Sequence, residues 1–127
     1  MAEIVLKDES YAIVGACFEV YNELGCGFLE AVYQEALQLE LGAKQIPYVP
    51  QSPLQIHYKG QPLIQAYRAD LICYGSVLVE LKAVSYINDD HRAQLLNYLH
   101  ATKMPLGLLI NFGHSKGLQH ERFLPRT

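Results

Sequence analysis

Glu80 and Lys82 are charged residues two positions apart in residues 77–84, a run that is otherwise almost continuously apolar. In a strand, that spacing projects both side chains from the same face. So apolar a strand belongs near the centre of a sheet, where an unpaired carboxylate or ammonium is costly, so the two groups need partners or a metal ion. Asp70 precedes them on what reads as the preceding strand, with a turn signal at Gly75-Ser76 between. A three-residue loop at residues 74–76 sets Cys73 against Val77 and Asp70 opposite Glu80 on one face. A two-residue Gly75-Ser76 loop sends Asp70 to the other face unless a bulge restores the register. Two carboxylates a strand spacing apart repel, raising one pKa unless a cation neutralises them. A hard divalent ion such as Mg²⁺ would do so, keeping several waters and leaving room for a water nucleophile or a phosphate oxygen. Lys82 then has a task, to orient or activate that water and stabilise developing phosphate charge.

Two helical segments can complete such a site. Glu30, Tyr33, Gln34 and Leu37 share one stripe of the first, and Gln94 and Tyr98 stand one turn apart on the second, with His91 beside them. Taken singly, Glu30 and Gln94 read as solvated helix residues, and Tyr33 and Tyr98 as core aromatics with a hydrogen-bonded hydroxyl. Glu-Leu-Lys is also a common tripeptide, so the weight rests on the combination.

That combination resembles a known pattern. Asp70 followed by Glu80-Leu81-Lys82 is similar to the signature of the PD-(D/E)XK nuclease superfamily, and Gly27-Phe28-Leu29-Glu30-Ala31-Val32-Tyr33 resembles that of the GxxExxY family within it. Ala69 stands where the signature name has Pro. The resemblance implies that Asp70 and Glu80 hold Mg²⁺, with Mn²⁺ able to substitute, that Lys82 assists the water, and that Glu30 joins as a further ligand or base. Gln94 and Tyr98 resemble the Q-xxx-Y motif of related exonuclease and recombination nucleases, which would orient metal, water or phosphate. Tyr33, Tyr98 and His91 are candidates for positioning substrate, although His91 reads first as a surface residue.

The elements that must hold these residues follow from periodicity and punctuation. Residues 10–24 repeat apolar side chains at helical spacing through Tyr11, Val14, Phe18, Tyr21 and Leu24, with Asp8 and Ser10 as available caps. Gly25-Cys26-Gly27 interrupts the pattern, and residues 28–41 resume it through Phe28, Leu29, Val32, Ala36, Leu37 and Leu39 up to Gly42. Pro47, Pro50 and Pro53 rule out helix over residues 46–54, and Lys59-Gly60 makes a turn between two expected strands. Asp89 or Asp90 is the expected cap of a third helix, reaching Thr102 and burying Leu95, Leu96 and Leu99. Residues 106–112 suit one more buried strand, and residues 114–127 an edge strand or tail. The order α-α-β-β-β-α-β predicts an α/β fold with a mixed sheet, and it resembles the restriction-endonuclease-like αβββαβ core with an extra N-terminal helix.

The chain has 127 residues, half of them hydrophobic, and no linker, repeat or composition shift, so one domain over residues 1–127 is expected. A net charge of −3 supplies no global field toward nucleic acid or an anionic membrane, so phosphate recognition must be local. Lys103, Lys116, Arg122 and Arg126 give the C-terminal third some positive charge, which suits either a phosphate contact or a solvated surface. Cys17, Cys26 and Cys73 form no CxxC pair and read as reduced thiols. No signal-like segment opens the sequence and no stretch suits a membrane span, so a cytoplasmic protein is expected. The five histidines show no HExxH spacing, Gly25-x-Gly27 follows a helix rather than a strand, and neither a P-loop nor a Gly-x-Ser-x-Gly elbow occurs.

Three functions compete for these residues. The first is metal-dependent phosphodiester hydrolysis on DNA or RNA, and the second is a catalytically silent nuclease-fold module binding nucleic acid or a partner protein. The third is a structural ion-pair cluster around Lys82, disfavoured by three carboxylates against one ammonium. A domain of this size has little surface for gripping a duplex, which adds a homodimer or a larger protein partner to the expectations.

Overall fold

A computed structural model describes residues 4–126, so the first residues of the N-terminal segment and the last of the C-terminal tail lie outside it. Three helices and five strands run in the order α1 (Lys7–Leu24), α2 (Glu30–Ala43), β1 (Tyr48–Tyr58), β2 (Gln61–Cys73), β3 (Val77–Lys82), α3 (Asp89–Thr102), β4 (Leu106–Asn111) and β5 (Gln119–Phe123). The expected mixed sheet is present, with residues 119–123 adding a fifth strand at the end. The sheet order is β1-β2-β3-β4-β5. β3 and β4 are parallel, with α3 as their crossover, and the remaining neighbours are antiparallel.

The sheet is covered on both faces. Ile13, Cys17 and Val20 of α1 and Tyr33, Leu37 and Leu41 of α2 pack on Val77, Val79 and Leu81 of β3 and on Leu108 and Ile110 of β4. Leu95 and Leu99 of α3 pack on the opposite face with Tyr67, Ala69, Leu78 and Leu109. Alternate residues of β3 therefore enter different cores, which is why its sequence is apolar on both faces apart from Glu80 and Lys82.

Several local expectations change. The buried face of α1 runs through Ser10, Ile13, Ala16, Cys17 and Val20, while Tyr11 is 82% exposed. Small side chains let the helix approach the sheet, and the bulkier aromatics fall on the adjoining stripe. Leu6 takes the N-cap position of α1 without a side-chain bond, and the Ser10 hydroxyl donates instead to Lys7 O. Leu29, which caps α2, and Leu39 within it are exposed. Pro50 and Pro53 lie inside β1, which an edge strand tolerates because one row of its backbone groups needs no ladder partner. The cap of α3 is Asn88 rather than Asp89 or Asp90.

A buried amide fixes the chain just after Lys82. Asn111 accepts from Val84 N at 2.9 Å and Gly113 N at 3.0 Å, and donates to Val84 O at 2.8 Å and Gln119 Oε1 at 2.9 Å. Gly113 then passes so close that an added Cβ would stand 2.4 Å from both Val84 N and Val84 O. Backbone cannot yield as a flexible side-chain end can, so Gly113→Ala is expected to cost about 3 kcal/mol in chemical denaturation. An unchanged denaturation midpoint would show that the close approach is not needed.

Candidate active site

The site lies where the sheet forks. β2 and β3 pair only at Cys73↔Val77, Ile72↔Leu78 and Leu71↔Val79, the register of a three-residue loop, whereas β3 stays paired with β4 as far as Lys82↔Asn111. Asp70 and Glu80 are the next pair in that register, at the point where the strands part. Leu81 N has lost its ladder partner on this side, and Asp70 Oδ2 accepts from it at 2.7 Å. Residues two apart on a strand normally share a face. Ala69 nevertheless packs with α3 and Leu71 with α1 and α2, so β2 turns over at Asp70. Opposite Asp70 on β1, the pairing skips Gln51, whose φ of 50° is left-handed.

Glu30 reaches the fork from α2. Gly27, at φ 111°, reverses the chain between the helices. Tyr33 locks that reversal, donating from its hydroxyl to Gly25 O at 2.5 Å and accepting from Phe28 N at 3.2 Å. Its ring is fully buried and stacked on Phe112 at 4.7 Å between centroids. Tyr33 therefore sits in the core and not at a substrate surface, holding the turn that delivers Glu30 to the first turn of α2. Glu30, Ala31, Gln34, Gln51 and Asp70 line a cavity of about 310 Å³. Gln34 Nε2 donates to Asp70 O at 2.8 Å, tying α2 to the fork.

Lys82 Nζ stands 4.0 Å from Glu80 Oε2, with side-chain exposures of 20% and 12%. The Tyr67 hydroxyl donates to Glu80 Oε1, and Tyr98 stacks on the Tyr67 ring. Tyr98 thus reaches the carboxylates through Tyr67. Gln94, one turn away on α3, is exposed and makes no hydrogen bond among the described residues. His91 is turned to another purpose, accepting from Asn88 N at 3.2 Å while its own N–H bonds Asn88 Oδ1 at 3.0 Å, a reciprocal cap on α3. The structure therefore gathers Glu30, Asp70, Glu80 and Lys82, gives Gln34, already placed on the Glu30 stripe, a bond to Asp70 O, and adds Tyr67 and Gln51, which sequence reasoning missed and no spacing signalled.

The electrostatics share one sign. Burial, then Asp70, pushes Glu80 up to about 7, against the lowering effects of Tyr67 and Lys82. Burial and Asp70 also raise Glu30, while Lys82 opposes the rise. Asp70 is raised by burial, against the Leu81 N–H, Lys82 and Gln51. Three carboxylates thus face a shortage of positive charge that one lysine leaves unfilled. Their hard oxygen donors fit a hard divalent cation. Among the described residues no three His, Cys, Asp or Glu side chains are already drawn together as a ligand set.

A family model described as the PD-(D/E)XK nuclease superfamily matches residues 7–123 of this chain. Among solved structures, one described as the crystal structure of SSO0001 is similar with a TM-score of 0.59 and 17% identity. The match covers 76% of this chain and 50% of that one, so the chain spans half the length of its structural relative. The likeness shows a shared restriction-endonuclease-like fold. No curated protein matches.

Proposed function

Because the chain belongs to the PD-(D/E)XK nuclease superfamily, whose model spans residues 7–123, we propose that it is a metal-dependent phosphodiester hydrolase acting on nucleic acid. The observation that carries this reading is the fork itself, where Asp70 and Glu80 lie beside Lys82 and a cavity lined by Glu30. Asp70, Glu80 and Glu30 would hold Mg²⁺ or Mn²⁺, which when bound supplies Lewis-acid polarisation of the phosphoryl group and acidifies water. Burial and Asp70 raise the Glu80 carboxyl in the metal-free site, so a bound divalent ion would be what keeps it ionised beside Asp70 near neutral pH. Tyr67 orients that carboxylate. Lys82 Nζ donates to the phosphoryl oxygens as their negative charge grows, and its partial burial strengthens the interaction. Gln94 is assigned to a later contact with phosphate or water, made from its exposed position on α3.

The arrangement of Gly27, Glu30 and Tyr33 supports placing the chain in the GxxExxY group, since each residue of that signature has a distinct task at the turn. Three free thiols, Cys17, Cys26 and Cys73, fit a reducing compartment such as the cytoplasm. No helix among the described residues is long and apolar enough to cross a membrane.

A second reading, a silent nucleic-acid- or protein-binding module, is favoured by the net charge of −3. Calorimetric titration of Mn²⁺ and Mg²⁺ into the wild type and Asp70→Asn, paired with a DNA and RNA cleavage assay, separates the two. The expected result is metal binding by the wild type, weakened on the order of tenfold or more in Asp70→Asn, with metal-dependent cleavage. Absence of both binding and cleavage in the wild type overturns the hydrolase reading.

A further inference from the structure

Beyond the fork, β2 pairs only with β1, so residues 52–69 form a two-stranded ribbon standing clear of β3. Its inner face rests on the α3 side through Leu54, Ile56, Tyr67 and Ala69. Lys59 and Gly60, both at positive φ, close it with a tight turn. The outer face and tip are exposed, with Ile64 at 99% and Tyr58 at 61%, and Lys59 Nζ sits over the Tyr58 ring at 5.5 Å.

The charge of this ribbon departs from that of the whole molecule. Thirteen acidic residues occur in the chain, yet none lies between Glu40 and Asp70, a stretch that carries Lys44, Lys59 and Arg68. Exposed polar positions there are amides instead, among them Gln55, Gln61 and Gln65. A polyanion meets no carboxylate along the ribbon, although it is repelled by the molecule as a whole. The outer face is also continuous with the site. Arg68 Nη1 donates to Gln51 O at 2.7 Å, and Gln51 lines the cavity with Asp70 and Glu30.

We propose that the β1–β2 ribbon is the arm by which this protein grips duplex DNA, lying in the major groove and guiding a phosphodiester toward the fork; the inference rests on the nuclease reading above. The major groove of B-form DNA admits a two-stranded ribbon, and side-chain amides match the donor and acceptor edges exposed in it. The deep, narrow major groove of A-form RNA excludes such an element. Lys59 at the tip then contacts the backbone, and Ile64 packs on apolar base surface.

The test is fluorescence anisotropy of a short labelled DNA duplex in Ca²⁺ buffer, comparing the full-length wild type with Lys59→Glu/Ile64→Glu. Both positions are exposed, and circular dichroism checks that the double variant stays folded. Affinity is expected to fall about tenfold or more, with a shallower dependence on salt. Equal affinities overturn the proposal. So does wild-type binding to an RNA duplex as tight as to DNA, or a wild-type dimer in sedimentation that the double variant dissolves, which would assign the ribbon to a second copy of the chain. Wild-type hydrolysis of bis(p-nitrophenyl) phosphate in Mn²⁺ reads the fork without any duplex. Hydrolysis together with equal duplex affinities rejects the arm and keeps the site, whereas an inert wild type with impaired duplex binding in the variant rejects the site and keeps the arm.

Discussion

Lys82→Ala is expected to lower Mn²⁺-supported cleavage by about a thousandfold while the protein stays folded. The backbone of Lys82 is held independently of its side chain, through the Lys82↔Asn111 pair and the bond from Phe112 N to Lys82 O at 2.9 Å. Truncation therefore removes an ammonium without disturbing the strand. What is lost is a donor aimed at charge that appears only as the phosphoryl group reacts, and a partly buried group stabilises such charge more than an exposed one. Lys82→Arg does not restore the rate, because a planar guanidinium cannot reproduce a compact ammonium 4.0 Å from Glu80. A gel cleavage assay beside a thermal melt checks both halves, and cleavage retained within about tenfold would remove Lys82 from the mechanism.

Glu80→Gln is expected to make the metal-free protein more stable while abolishing cleavage. Glu80 is held near 7 in the folded chain against an ordinary value of 4.5. Between those values the folded protein keeps a proton that the unfolded chain releases. Wild-type stability therefore falls as pH rises from about 4.5 to about 7, and the deficit persists above that window. It amounts to about 3 kcal/mol, or about 10 °C in melting temperature for a domain of this size. Glutamine carries no charge and still accepts from Tyr67, so the variant escapes the penalty. Denaturation at pH 5 and pH 8 in a chelator measures it, with the two proteins converging at the lower pH. Saturating Mg²⁺ should then raise the wild type selectively, since ligand binding to the folded state adds stability. A variant no more stable than the wild type at pH 8 would show that Glu80 is not held against its charge.

The register that sets Asp70 opposite Glu80 was one of two that the turn at Gly75 left open, because alternation alone does not fix loop length, and the Cys73↔Val77 pair selects the three-residue loop. Tyr67 was not legible. It lies an odd number of residues from Asp70, so simple alternation assigns the two to opposite faces, and only the turning over of β2 at Asp70 lets both serve one site. The stripe of α1 misled in part for a different reason. Val14, Tyr21 and Leu24 do pack against the core, but Tyr11 and Phe18 are exposed, because Ala16 and Cys17 allow the closer approach and centre the buried face on their own stripe. The same one-dimensional limit hid the purpose of Tyr33 and His91. Their spacing placed them beside site residues, whereas their side chains bond the backbone of a turn and of a helix cap.

The bond from Leu81 N to Asp70 Oδ2 gives one acidic residue two unrelated employers. A copy of this gene freed from any need to cut nucleic acid would still be held to an acceptor at position 70, since losing it strands a main-chain donor at the mouth of the fork. Lys82 and Glu30 satisfy no main-chain donor with their side chains, and Lys82 holds only a 4.0 Å ion pair with Glu80. Over generations of drift they would be the first to change, and Asp70 among the last. In descendants of this protein the lysine is therefore the honest record of activity, and the aspartate mainly a record of folding.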